Sequence, residues 1–250
     1  MRIAVRGTIL AAAAVVATYL LAAAPAAPAT VSPVDPHLQE VLTRFDRAQE
    51  SIRSLSAEFT WTTQSPLLKL PTVSNGKLRL TKPDSMRCDI VAPEPMAFVI
   101  AHGEYTGYFP KQKRAERRDS QRWSDRFFRV FGIGQNSSEL GQFYDIALGT
   151  DPNAAGADVL VLTPKRKRAR KLFEHMYLHI DRTTGLPLRV VTESEGGGRR
   201  DIAFRGVKVN VDIPTNVYTL NLPADVVVQE GMTGLGGTFG LAADEEPSVR

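Results

Sequence analysis

Four histidines, one cysteine and a scatter of acids are the residues with which this chain could do chemistry. His175 and His179 stand four apart, but in HMYLHID, a stretch whose apolar residues alternate as in a strand. Four residues of strand span about 13 Å, too far for two ligands of one metal. Both fall on the parity opposite Met176, Leu178 and Ile180 and are expected to face solvent. Cys88 sits in alternating register between Met86 and Ile90 and reads as a small buried apolar residue rather than a nucleophile. A single cysteine forms no intrachain disulfide, so the fold must stand on its core. No G-x-S-x-G elbow, P-loop or dinucleotide fingerprint occurs. The GGG at 196–198 joins two strands as a hairpin loop and opens no helix. The acids lie mostly on strand exteriors and in turns, which leaves no pair for acid–base work. No catalytic residue, metal or cofactor is assigned, and the sequence points away from an enzyme.

Lys82 raises a question of another kind. In GKLRLTK (76–82), Leu78, Leu80 and Lys82 share one parity, while Lys77, Arg79 and Thr81 take the other. Side chains alternate across a sheet, so the face that carries the leucines also carries an amine. Pro83 follows and ends the strand, because it has no N–H to give to a ladder.

The chain of 250 residues is 43% hydrophobic and 23% charged, enough for one good core or at most two small domains. Met1–Arg6 carries two arginines, an apolar run of small residues follows, and Ala27–Ala29 fits a small-x-small cleavage site. Residues 1–29 therefore read as a cleaved secretory signal peptide, although the run also approaches the length of a membrane anchor. No cysteine follows it to take a lipid, so the mature protein is expected to be soluble and exported. The net charge of +4 includes Arg2 and Arg6, which leaves about +2 on the mature chain. The basic residues gather in 111–129 and 164–171. Export speaks against nucleic acid; a solvated face is the plain reading, and anionic headgroups or an acidic partner the functional one.

The elements that must position these residues begin with an N-cap and N1 pair, Asp35-Pro36. Leu38, Val41, Leu42, Phe45, Ala48, Ile52 and Leu55 then recur at helical spacing, predicting an amphipathic helix of about five turns. From Ala57 the period becomes two, with Phe59 and Trp61 on one side. SNG at 74–76 reads as a turn. MAFVIAHGEYTGYFP reads as two strands joined at His102-Gly103, and helical spacing returns at Trp123, Phe127, Val130 and Phe131 and again in SSELGQFYDI. Strands resume in ADVLVLTP, LFEHMYLHID, LPLRVVTES, RDIAFRGVKVNV and VYTLNLP, with DRTTGLP as a turn. Residues 231–250 read as a flexible tail. Nothing repeats βαβ, so the class is α+β: a large antiparallel sheet of roughly ten or eleven strands curled around helices. Its inward residues are Phe59, Trp61, Leu78, Leu80, Met86, Cys88, Ile90, Phe98, Ile100, Met176, Leu178 and Ile180. A sheet curled toward a barrel either fills with such side chains or encloses a ligand, and composition is compatible with both.

The series SAEFTW, GKLRLTKPDSMRCDIVAPEP, AHGEYTGYFPKQKRAE, SSELGQFYDI, LVLTPK, HIDRTTGLPLRV and YTLNLPADVVVQ resembles, in order and spacing over residues 38–230, the periplasmic outer-membrane lipoprotein carrier (LolA-like) family. The resemblance implies an unclosed β-barrel over residues 36–230, with a long N-terminal helix and short lid helices over an apolar cavity that the inward residues line. It implies a periplasmic, monomeric chaperone without cofactor. Such a carrier takes acylated lipoprotein cargo from an inner-membrane ABC-type exporter to an outer-membrane lipoprotein receptor. A lipid- or lipoprotein-binding sensor and a glycolipid carrier of the same fold are the alternatives. The family typically has Arg-Pro where this chain has Lys82-Pro83, and that arginine ties down the lid. Lys82 is then either a latch on lid carbonyls or a side chain that snorkels to the rim; lysine lacks the arginine fork, so the latch would be weaker. Phe127, Phe131 and Ile133 align approximately with the family's apolar lid residues; Phe131 and Ile133 read equally as lid or core, and Phe127 reads rather as core.

Overall fold

The computed structural model describes residues 35–67, 69–120, 133–152 and 154–231. The expected signal peptide at 1–29, the helical spacing around Trp123, Phe127, Val130 and Phe131, and the tail beyond Gly231 fall outside them.

Helix α1 (Pro36–Ser51) opens as its sequence dictates, with Pro36 in the first turn and the Asp35 carboxylate accepting from His37 N–H at 2.9 Å. It stops a turn earlier than the apolar spacing predicts. Asn210 takes over at its end: its amide donates to the Ser51 carbonyl (3.0 Å) and its side-chain oxygen accepts from Arg53 N–H (2.8 Å). Two groups that a longer helix would pair internally are satisfied there, so the chain turns into β1 and Leu55 belongs to that strand.

Twelve strands form one sheet: β1 (Ser54–Gln64), β2 (Thr72–Thr81), β3 (Ser85–Ala92), β4 (Met96–Ala101), β5 (Glu104–Phe109), β6 (Arg114–Asp119), β7 (Tyr144–Gly149), β8 (Ala157–Pro164), β9 (His175–Asp181), β10 (Pro187–Glu193), β11 (Arg199–Val209) and β12 (Val227–Glu230). Their order is β12-β6-β5-β4-β3-β2-β1-β11-β10-β9-β8-β7, so β12 and β7 are the two edges and the barrel is not closed. Every neighbouring pair is antiparallel except β12 with β6. Two short helices, α2 (Ser137–Phe143) and α3 (Lys167–Arg170), interrupt the strands. The expected count of ten to eleven included VYTLNLP and missed three strands, β6, β7 and β12: β6 lies in the basic run read as a solvated face, and the two edge strands carry weak signals. β7 follows α2 with no turn between them, so FYDI reads as helix; all four residues of β12 are exposed, so it shows no alternation.

Three other expectations are corrected. Ser74–Gly76 is not a turn but part of β2, where a register shift separates Asn75 from Gly76 against β3. Glycine is required there for closeness, since a Cβ at Gly76 would lie 2.4 Å from the Asp89 carbonyl and 2.4 Å from the Phe59 ring. VYTLNLP is not a strand. It forms a 3-10 turn over Thr215–Tyr218 and a strap across the outer face of β4, where Tyr218, Ile213 and Leu220 pack on Val99 and Ala101. That strap is why β4 is buried on both faces. LFEHMYLHID is a strand only from His175 onward. The break at Pro83, the hairpin at His102-Gly103 and the 196–198 loop stand as read, with His102 and Gly103 both at positive φ.

Candidate functional site

The concave face gathers the alternating apolar residues into one cluster. Phe59 and Trp61 come from β1, Leu78 and Leu80 from β2, Met86, Cys88 and Ile90 from β3, and Phe98 and Ile100 from β4. Met176, Leu178 and Ile180 of β9 join them across β10 and β11, which add Val190 and Ile202, and Leu160 comes from β8 on the far side of β9. None of the eleven expected cavity residues is more than 4% exposed. What covers them is α1: Val41 and Phe45 are wholly buried in the same cluster, with Ile52 behind them. Ile133, expected in a lid, and Leu140 of α2 complete the cover. Phe131 lies outside the described residues. Cys88 is buried in this cluster, and burial, with the Asp89 charge behind it, pushes its thiol up, out of the range of a nucleophile at neutral pH.

Two cavities lie away from this apolar centre. One of about 530 Å³ runs along the outer face of β3–β5 beside the strap, between Arg87, Val91, Tyr108 and Leu220. The other, of about 460 Å³, opens where β1, β10 and β11 end, between Thr63, Leu67, Leu172 and Arg200.

Polar contacts hold α1 at both ends. At its C-terminal end the Lys82 amine donates to the Gln49 carbonyl at 2.6 Å. That carbonyl is one of the last four of the helix, which have no partner within it, and a cation is favoured there. Lys82 thus faces inward, as parity requires, and binds the long helix. Pro83 beside it is exposed. Burial lowers the lysine pKa below its usual value, against the opposing pull of Glu139 and Glu50. The buried Gln49 side chain accepts from Gly134 N–H at 2.7 Å, and Asp46 accepts from both Ser137 N–H and its hydroxyl at 2.6 Å. An Asn136–Glu139 capping box fixes the start of α2 at the same place.

At the other half of α1, Asp158 of β8 is buried and bound by Arg44 of the helix and by Arg182 Nε at 2.9 Å. The turn after β9 comes close enough that a Cβ at Gly185 (φ +71°) would lie 2.6 Å from the Arg44 carbonyl. Sequence reasoning missed Arg44, Asp46, Gln49, Ser137, Asp158 and Gly185. One of them carried the signal that exposed Lys82: Asp158 shares parity with Leu160 and Leu162, an acid on an apolar face. The outer face holds a further correction. His179 is buried rather than solvent-facing, because Asp151 lies 3.7 Å from its Nε2 and Arg189 packs nearby. Burial first, then Arg189, lowers its pKa, with Asp151 opposing. No group of three or more potential metal ligands occurs among the described residues.

An unclosed barrel with a helix lying against its apolar concave face is the architecture of a family of binding and carrier proteins. Residues 50–221 match the family described as outer membrane lipoprotein carrier protein LolA, and the chain belongs to that family. No curated protein matches the chain. Among solved structures it is similar to an uncharacterized conserved protein from Thermus thermophilus, with 17% identity, a TM-score of 0.51, and coverage of 78% of this chain and 99% of that one. It is also similar to the MucA/MucB complex structure of Pseudomonas aeruginosa (20% identity, 74% of this chain and 61% of that one, TM-score 0.46). A third is the Mycobacterium tuberculosis lipoprotein LppX (11% identity, 72% and 100%, TM-score 0.43). At 17% identity the first of these likenesses speaks to the fold alone.

Proposed function

We propose that the protein is an exported, monomeric carrier that shelters the acyl chains of lipoproteins inside the half-barrel. It would take them from an inner-membrane ABC-type exporter to an outer-membrane receptor after removal of residues 1–29. The observation that carries this reading is the continuous apolar interior, from Phe59 and Trp61 round to Ile180, covered by the amphipathic α1, which polar contacts hold in place, with Ile133 and Leu140 beside it. In this reading α1, with Ile133 and Leu140 beside it, is the cover, and Lys82, positioned by Pro83, is its latch.

Magnitudes fit a carrier. Each methylene withdrawn from water is worth about 0.8 kcal/mol, so a sixteen-carbon chain is worth on the order of 12 kcal/mol. Val41, Phe45 and Ile52 must leave the interior to admit it, at roughly 2 kcal/mol each. About half of the gain is thereby offset, which is what allows cargo to be released as well as held.

The protein recovered from the periplasm of expressing cells, extracted and analysed by mass spectrometry, tests the reading. Diacylglyceryl-cysteine peptides are expected. Glycolipid instead would make this a lipid carrier of another kind. A protein that carries nothing and takes up no fluorescent acyl probe would end the carrier reading.

A further inference from the structure

Charged side chains on the concave parity fall into two kinds. Lys82 and Asp158 hold α1, and Glu116 is taken up by Arg114. Arg200 is different. It shares the parity of Ile202 and Phe204, sits between Thr63 of β1 and Thr192 of β10, and is half-buried. Its guanidinium forms no hydrogen bond or ion pair with any described residue. Burial alone lowers its pKa, with no neighbouring carboxylate to restore it. An arginine withdrawn from water without a partner is costly unless an anion completes it.

The surroundings of Arg200 supply the rest of such a site. It lines the cavity of about 460 Å³ at the end of the barrel away from Lys82, together with Thr63, Ser65 and Thr192, whose hydroxyls are donors for anionic oxygens, and with Ser194, whose hydroxyl donates to the Gly198 carbonyl. Leu67 stands on the rim, in the β1–β2 loop, and with Leu70 it is the most exposed large apolar residue described, at 93% and 79%. Leu172 brings the chain after α3 to the same cavity, and the exposed Arg166, Lys167 and Lys171 lie just before it in sequence. Lys165, by contrast, is engaged by the Gly141 carbonyl and Asp145, and Arg170 by the Pro164 carbonyl. Lys69 adds a further exposed cation between the two leucines.

We propose that this mouth docks on an anionic bilayer, with a phospholipid phosphate bound by Arg200 and Leu67 and Leu70 set into the acyl boundary. The charge is complementary to a headgroup layer, and exposed leucines beside cations need an apolar cover that an acidic protein surface does not supply. The residues involved lie outside the apolar interior, so the proposal stands whether or not that interior holds acyl chains.

Vesicle co-sedimentation of the purified protein tests it, with vesicles of phosphatidylglycerol mixed into phosphatidylcholine against phosphatidylcholine alone. Binding is expected only to the mixed vesicles and to fall as salt rises. Arg200→Gln is expected to weaken it about fivefold, at the usual worth of one cation at an anionic surface, while Arg200→Lys keeps most of it. Leu67→Ser with Leu70→Ser is expected to remove the part that resists salt. Lys111→Gln with Lys113→Gln, in the other basic run, should change nothing. Circular dichroism melts check that each variant is folded. Equal binding to both vesicles, or wild-type binding by folded Arg200→Gln, overturns the proposal. So does binding of free glycerol phosphate at Arg200 without binding to vesicles, or capture by an acidic protein alone.

Discussion

The ammonium of Lys82 lies 2.6 Å from the Gln49 carbonyl at a place where burial disfavours its charge. Its folded-state pKa is lowered, so between that value and the usual 10.5 the unfolded chain binds more protons than the folded one. Linkage then requires this group's contribution to stability to rise with pH through that alkaline window. Urea unfolding at a series of pH values is expected to show the rise in the wild type and a flatter profile in Lys82→Met. Loss of the bond should also speed hydrogen exchange in the last turn of α1 by about two- to tenfold, the worth of one net hydrogen bond; an unchanged rate would remove the latch. Gly76 makes a separate demand. An added methyl would meet the Asp89 carbonyl and the Phe59 ring at 2.4 Å, and backbone cannot yield cheaply. Gly76→Ala is expected to cost about 2 kcal/mol in urea unfolding, within the range for overpacking.

Among the elements, α1 is held unequally at its two ends. Asp158 is buried with Arg44 and Arg182 upon it, whereas the C-terminal turn rests on Lys82, Gly134 and Ser137. Asp158→Asn removes the charge from a buried pair and is expected to destabilise the protein by about 3 kcal/mol, with exchange rising first around residues 37–45. Uniform exchange along α1 would show that its two ends are not separately held. The central strands were legible where one face is buried and the period shows it, as in Met86, Cys88 and Ile90. What was not legible has a common cause, in that an element from elsewhere in the chain supplies the environment. The outer face of β4 is apolar because the strap covers it; α1 stops at Ser51 because Asn210, far along the sequence, caps it; Gly76 mimics a turn because a backbone from β3 passes close. Asp158 and Arg200 could have been found, since each breaks an apolar parity as Lys82 does, but only tertiary packing says that the first has partners and the second none among the described residues.

For the whole molecule, the interior is closed in this structure, and its use as a carrier requires α1 to move. The helix is the element to move, since every strand is bound by ladders, on both sides except at the edges β12 and β7, whereas α1 is bound by side chains. A covalent lock isolates that motion. Both oxygens of the Asp46 carboxylate bond Ser137, one to its N–H and one to its hydroxyl, which brings the two positions within reach of a disulfide. The native Cys88 is buried and its thiol is pushed up, so it does not compete for oxidation. Asp46→Cys with Ser137→Cys, oxidised and verified by mass, is expected to take up no fluorescent long-chain acyl probe and to recover uptake on reduction. Each single variant should take up the probe at least as fast as the wild type, because the native contact is lost and nothing replaces it. If the bridged protein fills as readily as the reduced one, cargo enters without displacing the C-terminal turn of α1. The apolar interior beneath that helix would then be a core and not a container.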